Sequence, residues 1–171
     1  MDLTEYVPVV PDFPKPGVGF RDITPLLNDP PAFRASLDGL QRLAAAHPHD
    51  RIAAFDARGF LWAAPLADRT ALPLVPIRKS GKLPRSAARE TYQGEYSDVT
   101  IEIHRDAIQP GDRTLLIDDV IATGESMAAG ARLIEQLGGT VAGCLALLEV
   151  ESLNGSARLS GHPVDTLLGK L

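Results

Sequence analysis

A single cysteine, Cys144, is all the thiol chemistry in this chain of 171 residues, so neither a disulfide nor a cysteine metal site can form within it. It falls in the apolar run 141–150, where a buried structural thiol is expected rather than a nucleophile. No apolar run approaches the roughly 18 residues of a membrane span, and no basic-then-apolar signal opens the sequence. A soluble, cytoplasmic protein with no membrane partner is therefore expected. Basic excess is missing too: the net charge of −5 argues against a generic nucleic-acid surface. Neither GxGxxG nor GxxxxGK(S/T) occurs, which excludes the usual glycine-loop nucleotide sites. His47-Pro48-His49-Asp50 has two close histidines, but a proline separates them and no further ligand is near, so it reads as a surface turn.

What the chain does have is enough apolar content, 44%, for one domain with one core. Its centre is residues 113–127, RTLLIDDVIATGESM. Thr114-Leu115-Leu116-Ile117 reads as a strand buried on both faces of a parallel sheet, and it stops at two adjacent carboxylates, Asp118 and Asp119. Thr123 and Gly124 supply a turn, and Ser126 is positioned to cap a helix beginning with Met127-Ala128-Ala129. Backbone N–H groups at such a helix start lack intrahelical partners and face the positive end of the helix dipole, so the turn suits a phosphate and the carboxylates suit ribose hydroxyls. Without further support, the same pattern is also that of an acid-capped strand-to-helix turn.

The architecture repeats upstream. Ile52-Ala53-Ala54-Phe55 ends in the polar turn Asp56-Ala57-Arg58-Gly59, and a helix is predicted over 60–69 with Trp62 in the core. A third strand, residues 74–77, runs into Arg78, Lys79, Lys82, Arg85 and Arg89, with no acid before Glu90. Taken alone this basic stretch reads as a solvated loop; beside a phosphate turn it suits a small polyanion. Residues 86–94 lack clean periodicity and form a candidate lid. Val99, Ile101 and Ile103 alternate with Thr100, Glu102 and His104, which predicts a half-exposed strand. Asp29 is placed to cap a proline-started helix whose apolar face is Phe33, Leu37, Leu40 and Ala44, ending at Ala46. Residues 7–19 read as an extended arm, 140–150 as a strand, and 164–168 as a last strand.

Residues 113–127 resemble the 5-phosphoribosyl-1-pyrophosphate (PRPP) motif of type I phosphoribosyltransferases. PDFPKPGVGFRDITPLLNDP resembles the N-terminal hood of the adenine branch of that family, residues 56–60 its pyrophosphate loop, and RKSGKLP followed by ETYQGEYS its flexible catalytic loop. The four motifs arrive in the family's order and cover Val10 to about Leu153. The resemblance implies an α/β fold with a central, mostly parallel sheet flanked by helices, an N-terminal hood over 1–28 and a flexible loop over 78–97. It implies transfer of phosphoribose from PRPP to adenine, giving AMP and pyrophosphate, by a homodimer using Mg²⁺ carried by PRPP and water. Phe20 would stack on the base, Gly19 and Arg21 would read its edge, and Val150 would close its other face. Asp118 and Asp119 would hold the ribose, Ala122, Thr123, Gly124, Glu125 and Ser126 the 5′-phosphate, and Asp56, Ala57, Arg58, Arg78, Lys79 and Lys82 the pyrophosphate.

Glu95 would manage a proton on the base, a role the bare residue would not suggest. Four positions depart from the family: Glu125 and Ser126 replace glycine and threonine, Ala57 replaces a more polar residue, and Ser97 replaces a glycine. Glu125 is expected to point to solvent if the loop binds through backbone N–H groups. A 6-oxopurine phosphoribosyltransferase (hypoxanthine, xanthine or guanine) is the runner-up. A non-catalytic PRPP-sensing regulator is disfavoured by the retained lid and by the lack of a preceding DNA-binding segment.

Overall fold

The computed structural model describes residues 1–94 and 97–171, in two compact units, Met1–Gly39 and Leu40–Leu171. In the first, the proline- and glycine-rich arm folds back on itself. A short strand β1 (Val9–Val10) pairs antiparallel with β2 (Phe20–Arg21), and Phe13 meets Phe20 edge-on with ring centroids 5.0 Å apart. Helix α1 (Thr24–Asn28) follows and buries Leu26. Helix α2 (Pro30–Ala45) begins here and ends in the second unit. Asp29 caps it as expected, accepting the Ala32 N–H at 2.8 Å, while the prolines of the first turn cost nothing where N–H groups lack partners.

The second unit runs β3 (Arg51–Phe55), α3 (Phe60–Thr70), β4 (Leu74–Lys79), β5 (Ala87–Gln93), β6 (Asp98–His104), β7 (Arg113–Ile117), β8 (Val120–Ile121), α4 (Glu125–Gln136), β9 (Thr140–Ala146), β10 (Leu148–Glu149) and β11 (Val164–Thr166). Seven of these strands form one sheet in the order β11-β9-β7-β3-β4-β6-β5, parallel except for β6, which runs antiparallel to both β4 and β5. The apolar runs read from the sequence are its centre: Ile52, Leu115, Leu116 and Ile117 are fully buried, each contributing about 1.5–3 kcal/mol. Trp62 is fully buried, as expected. Burial pushes the Cys144 thiol up to about 12, so it stays protonated and inert. Helix α4 lies so close to the sheet that a Cβ on Gly130 would come within 2.5 Å of the Phe55 ring.

Several sequence expectations change. Residues 86–94 are not irregular: β5 pairs with β6 along its whole length, because its alternation of exposed and covered positions is completed by the partner strand. Glu102, expected on an open face, is 1% exposed. The strand over 140–150 breaks at Leu147, whose N–H bonds to Asp119 O instead of continuing the ladder. The last strand does form, as β11, parallel to β9. There Asp165 meets His47 Nε2 at 2.6 Å, which occupies the histidine read as a turn residue.

Candidate active site

From β3 the chain moves to β4 on one side and later returns to β7 on the other, so β3 and β7 bracket the point where the winding of the sheet reverses. Loops at the carboxyl ends of strands diverge at such a point and leave a crevice. Asp56 follows β3, Arg78 and Lys79 end β4, and Asp118 follows β7. A cavity of about 170 Å³ opens between Asp56, Lys79, Tyr92, Asp118 and Ser126.

The two carboxylates after β7 are not equivalent. Asp118 faces the cavity and accepts the Asp119 N–H at 2.9 Å. The Asp119 side chain is buried, with Arg58 Nε 2.7 Å from Oδ2 in an ion-pair contact whose N–H is off the hydrogen-bond line. Burial, then the neighbouring Asp119 charge, holds the Asp118 carboxyl well above the usual range. Burial raises Asp119 as well, against the opposing pull of Arg58. A folded state that binds these protons more tightly than the unfolded chain loses stability as pH rises through the raised values. Asp118→Asn keeps the acceptor for the Asp119 N–H and deletes one of two crowded charges. It is expected to raise Tm by about 2–4 °C, the equivalent of roughly 1 kcal/mol in a chain this long. The same substitution should raise the KM for PRPP about 10–100-fold, the worth of a hydrogen bond to an ionised acceptor. Thermal melts across pH and steady-state kinetics check both signs; a lower Tm would show that the pair is not strained by its charge.

Asp56 gathers the cations. Arg78 Nε and Lys82 Nζ each lie 3.1 Å from its Oδ2. Burial raises this carboxyl, but Lys82 and Arg78 outweigh it and leave it below the ordinary value. The Asp56–Ala57 peptide is cis, and Ala57 and Arg58 are exposed. The turn after β4 is organised by Glu102. Its Oε1 accepts the N–H groups of Gly81, Lys82 and Leu83 at 2.9, 3.1 and 3.0 Å, and its Oε2 faces Arg89 Nε at 3.1 Å. These bonds hold Glu102 ionised, below its usual range despite burial.

The turn after β8 enters α4 through Gly124 at φ +79°, where a Cβ would lie 2.2 Å from Gly155 O. Only glycine meets both demands. Gly155 returns the contact, since its own Cβ would come within 2.3 Å of Ala122 O. The helix starts two residues earlier than expected: Glu125 is its first residue and Gly124 its cap, so Ser126 is inside the helix and lines the cavity. Glu125 does not point to open solvent. Its Oε1 meets Arg158 Nη1 at 3.0 Å, because residues 155–159 fold back against the turn.

Residues 35–160 match the family described as phosphoribosyl transferase domain. An adenine phosphoribosyltransferase from Paracidovorax citrulli (strain AAC00-1) is 49% identical, covering 97% of this chain and 92% of that protein. One from Kosmotoga olearia is 44% identical over 98% of this chain and 99% of its own. The chain belongs to the adenine phosphoribosyltransferase family. The crystal structure of the Thermoanaerobacter pseudethanolicus adenine phosphoribosyltransferase superposes with a TM-score of 0.94 at 41% identity, covering 99% of this chain and 98% of that one. The Saccharomyces cerevisiae enzyme, complexed with an imino-altritol bisphosphate and adenine, gives 0.90 at 35% identity, covering 97% and 96%. The fold is that of the type I phosphoribosyltransferases.

Within this family fold, the second unit brings together the residues expected at the ribose, the 5′-phosphate and the pyrophosphate. Gly19, Phe20 and Arg21 lie on and beside β2 in the first unit, and Val150 is half-buried after β10. Glu95 lies outside the described residues. Four contributors escaped the sequence reading: Tyr92, Glu102, Gly155 and Arg158. A signal for Glu102 was present, since it is an acid between two isoleucines in a strand that follows a long cationic run. Arg158 and Gly155 carry no local signal.

Proposed function

We propose that this chain transfers the phosphoribosyl group of PRPP to N9 of adenine, forming AMP and pyrophosphate. The observation that carries the reading is the convergence on one cavity of Asp56, Asp118, Lys79 and the first turn of the glycine-started helix α4 at Ser126, in a chain nearly half identical to adenine phosphoribosyltransferases. The ribose hydroxyls donate to Asp118 and Asp119. The 5′-phosphate sits on residues 122–126 through N–H groups at the start of α4. Diphosphate draws Arg78 and Lys82 from Asp56, and Arg58, Lys79 and the 56–57 backbone complete its cradle. As that group leaves, the anomeric carbon becomes cationic, so the protein's contribution is positioning, stabilisation of leaving-group charge and exclusion of water. Glu95 handles the proton on the base, and Phe20, Gly19, Arg21 and Val150 select it.

Mg²⁺ bound with PRPP supplies neutralisation of diphosphate charge. Among the described residues no group of three His, Cys, Asp or Glu could hold a metal, and one carboxylate, Asp118, faces the cavity beside Asp56. That donor set would suit a cation held chiefly by substrate oxygens and water, with Asp118 as the carboxylate that would face it. We further propose a cytoplasmic homodimer that takes small-molecule substrates.

Base choice tests the assignment. A backbone carbonyl in the hood would accept from adenine's amino group and repel hypoxanthine's oxygen, so kcat/KM should favour adenine by more than about a hundredfold. A spectrophotometric assay with PRPP and adenine, hypoxanthine, guanine or xanthine measures it. Comparable turnover of hypoxanthine would move the chain to the 6-oxopurine class. PRPP binding without turnover of any base would make it a sensor.

A further inference from the structure

A carboxylate at the first residue of α4 stands beside the proposed phosphate turn, and its contacts explain how the turn tolerates it. Left unpaired, a unit charge about 6–7 Å from a phosphate dianion would weaken binding roughly tenfold before screening. The carbonyl of Thr123 is the second electronegative group in this turn. A single guanidinium holds both: Arg158 Nη1 is 3.0 Å from Glu125 Oε1, and Arg158 Nε donates to Thr123 O at 3.2 Å. The segment bearing Arg158 is itself pinned, because Ser156 N donates to buried Glu149 Oε1 at 2.9 Å and Gly155 packs on Gly124 without room for a Cβ.

We infer that Arg158 is a positioning residue for the 5′-phosphate: it neutralises Glu125 and turns the Thr123 carbonyl aside, so that the N–H groups at the start of α4 meet the phosphate. The inference rests on the assignment of residues 122–126 as the phosphate turn. It gives residues 155–159 a part in substrate binding, through the pairing of Arg158 with Glu125. The pair also makes the turn net neutral before substrate arrives, so binding does not have to overcome a fixed negative charge.

The test compares the parent chain with Arg158→Ala, Arg158→Lys and Arg158→Ala/Glu125→Gln, using steady-state kinetics with PRPP and adenine and calorimetric titration with AMP. Arg158→Ala should raise the KM for PRPP and the Kd for AMP about 10–30-fold at low salt, with kcat within about threefold. The loss should shrink to about threefold or less near 1 M salt. Removing the stranded charge in the double variant should restore both constants to within about threefold of the parent. Arg158→Lys, which keeps the charge and gives up one of two contacts, should fall between. Arg158→Ala constants within twofold of the parent would overturn the inference, as would a loss that neither salt nor Glu125→Gln relieves. If the parent turns over PRPP and adenine in those cases, the proposed function stands and the inference alone fails. A parent that neither binds AMP nor turns over PRPP overturns both.

Discussion

Replacing Glu95 by Gln is expected to lower kcat by about 10²–10⁴ while leaving the KM for PRPP within about threefold. Adenine attacks through N9 only as a proton is managed elsewhere on the ring, and a carboxylate held out of water has its pKa raised toward the range where it can accept or return that proton. Glutamine keeps the size and the hydrogen-bonding reach but cannot take the proton, so the loss falls on the chemical step. On the proposed assignment PRPP is held by Asp118, the α4 N-terminus and the cationic turn, which the substitution leaves intact. Because product release often limits turnover in enzymes with closing loops, the measurement is single-turnover formation of AMP. A fall of less than tenfold in that step would remove Glu95 from the mechanism.

Glu102→Ala should damage both the fold and the site. The carboxylate lies beneath the turn it organises and satisfies three consecutive N–H groups and Arg89. Losing one partner of a buried pair costs up to about 3–5 kcal/mol. Arg89 is 64% exposed and regains water, so a smaller cost, about 2–3 kcal/mol, is expected here. That corresponds to a fall in Tm of roughly 4–12 °C. The freed residues 81–83 would then have to be ordered each time substrate binds, at about 1–2 kcal/mol per residue. A loss of at least about a hundredfold in kcat/KM for PRPP follows. Glu102 also contributes a pH-dependent part of stability. Its folded-state pKa is lowered, so the contribution is present above the ordinary carboxylate range and fades as pH falls through the lowered value. In Glu102→Gln that acid-side loss should be absent from melts across pH. An unchanged Tm and unchanged PRPP kinetics in Glu102→Ala would show that the turn is held by other contacts.

Much of the site is legible in the sequence because its parts are local. An apolar run that stops at an acid is a buried strand reaching the edge of a sheet, and the chain does this at Phe55–Asp56 and again at Ile117–Asp118. Asp29 before two prolines marks a helix start by the same kind of short-range chemistry. Cys144 and Trp62 reach the core because of where they fall in apolar runs. Tertiary structure alone decided the partners. Glu102 is on the polar side of a strand by its alternation and becomes buried only because the Gly81–Leu83 turn folds over it. Ser126 loses its capping place to Gly124 because the close approach of Gly155 sets the backbone there. Glu125 finds Arg158, and Arg58 finds Asp119, across long stretches of chain. Periodicity, capping and turn chemistry act over a few residues and are written in the order of the side chains. Ion pairs and close backbone approaches depend on which distant segments the packed sheet brings to the same edge, and that depends on strand order and register.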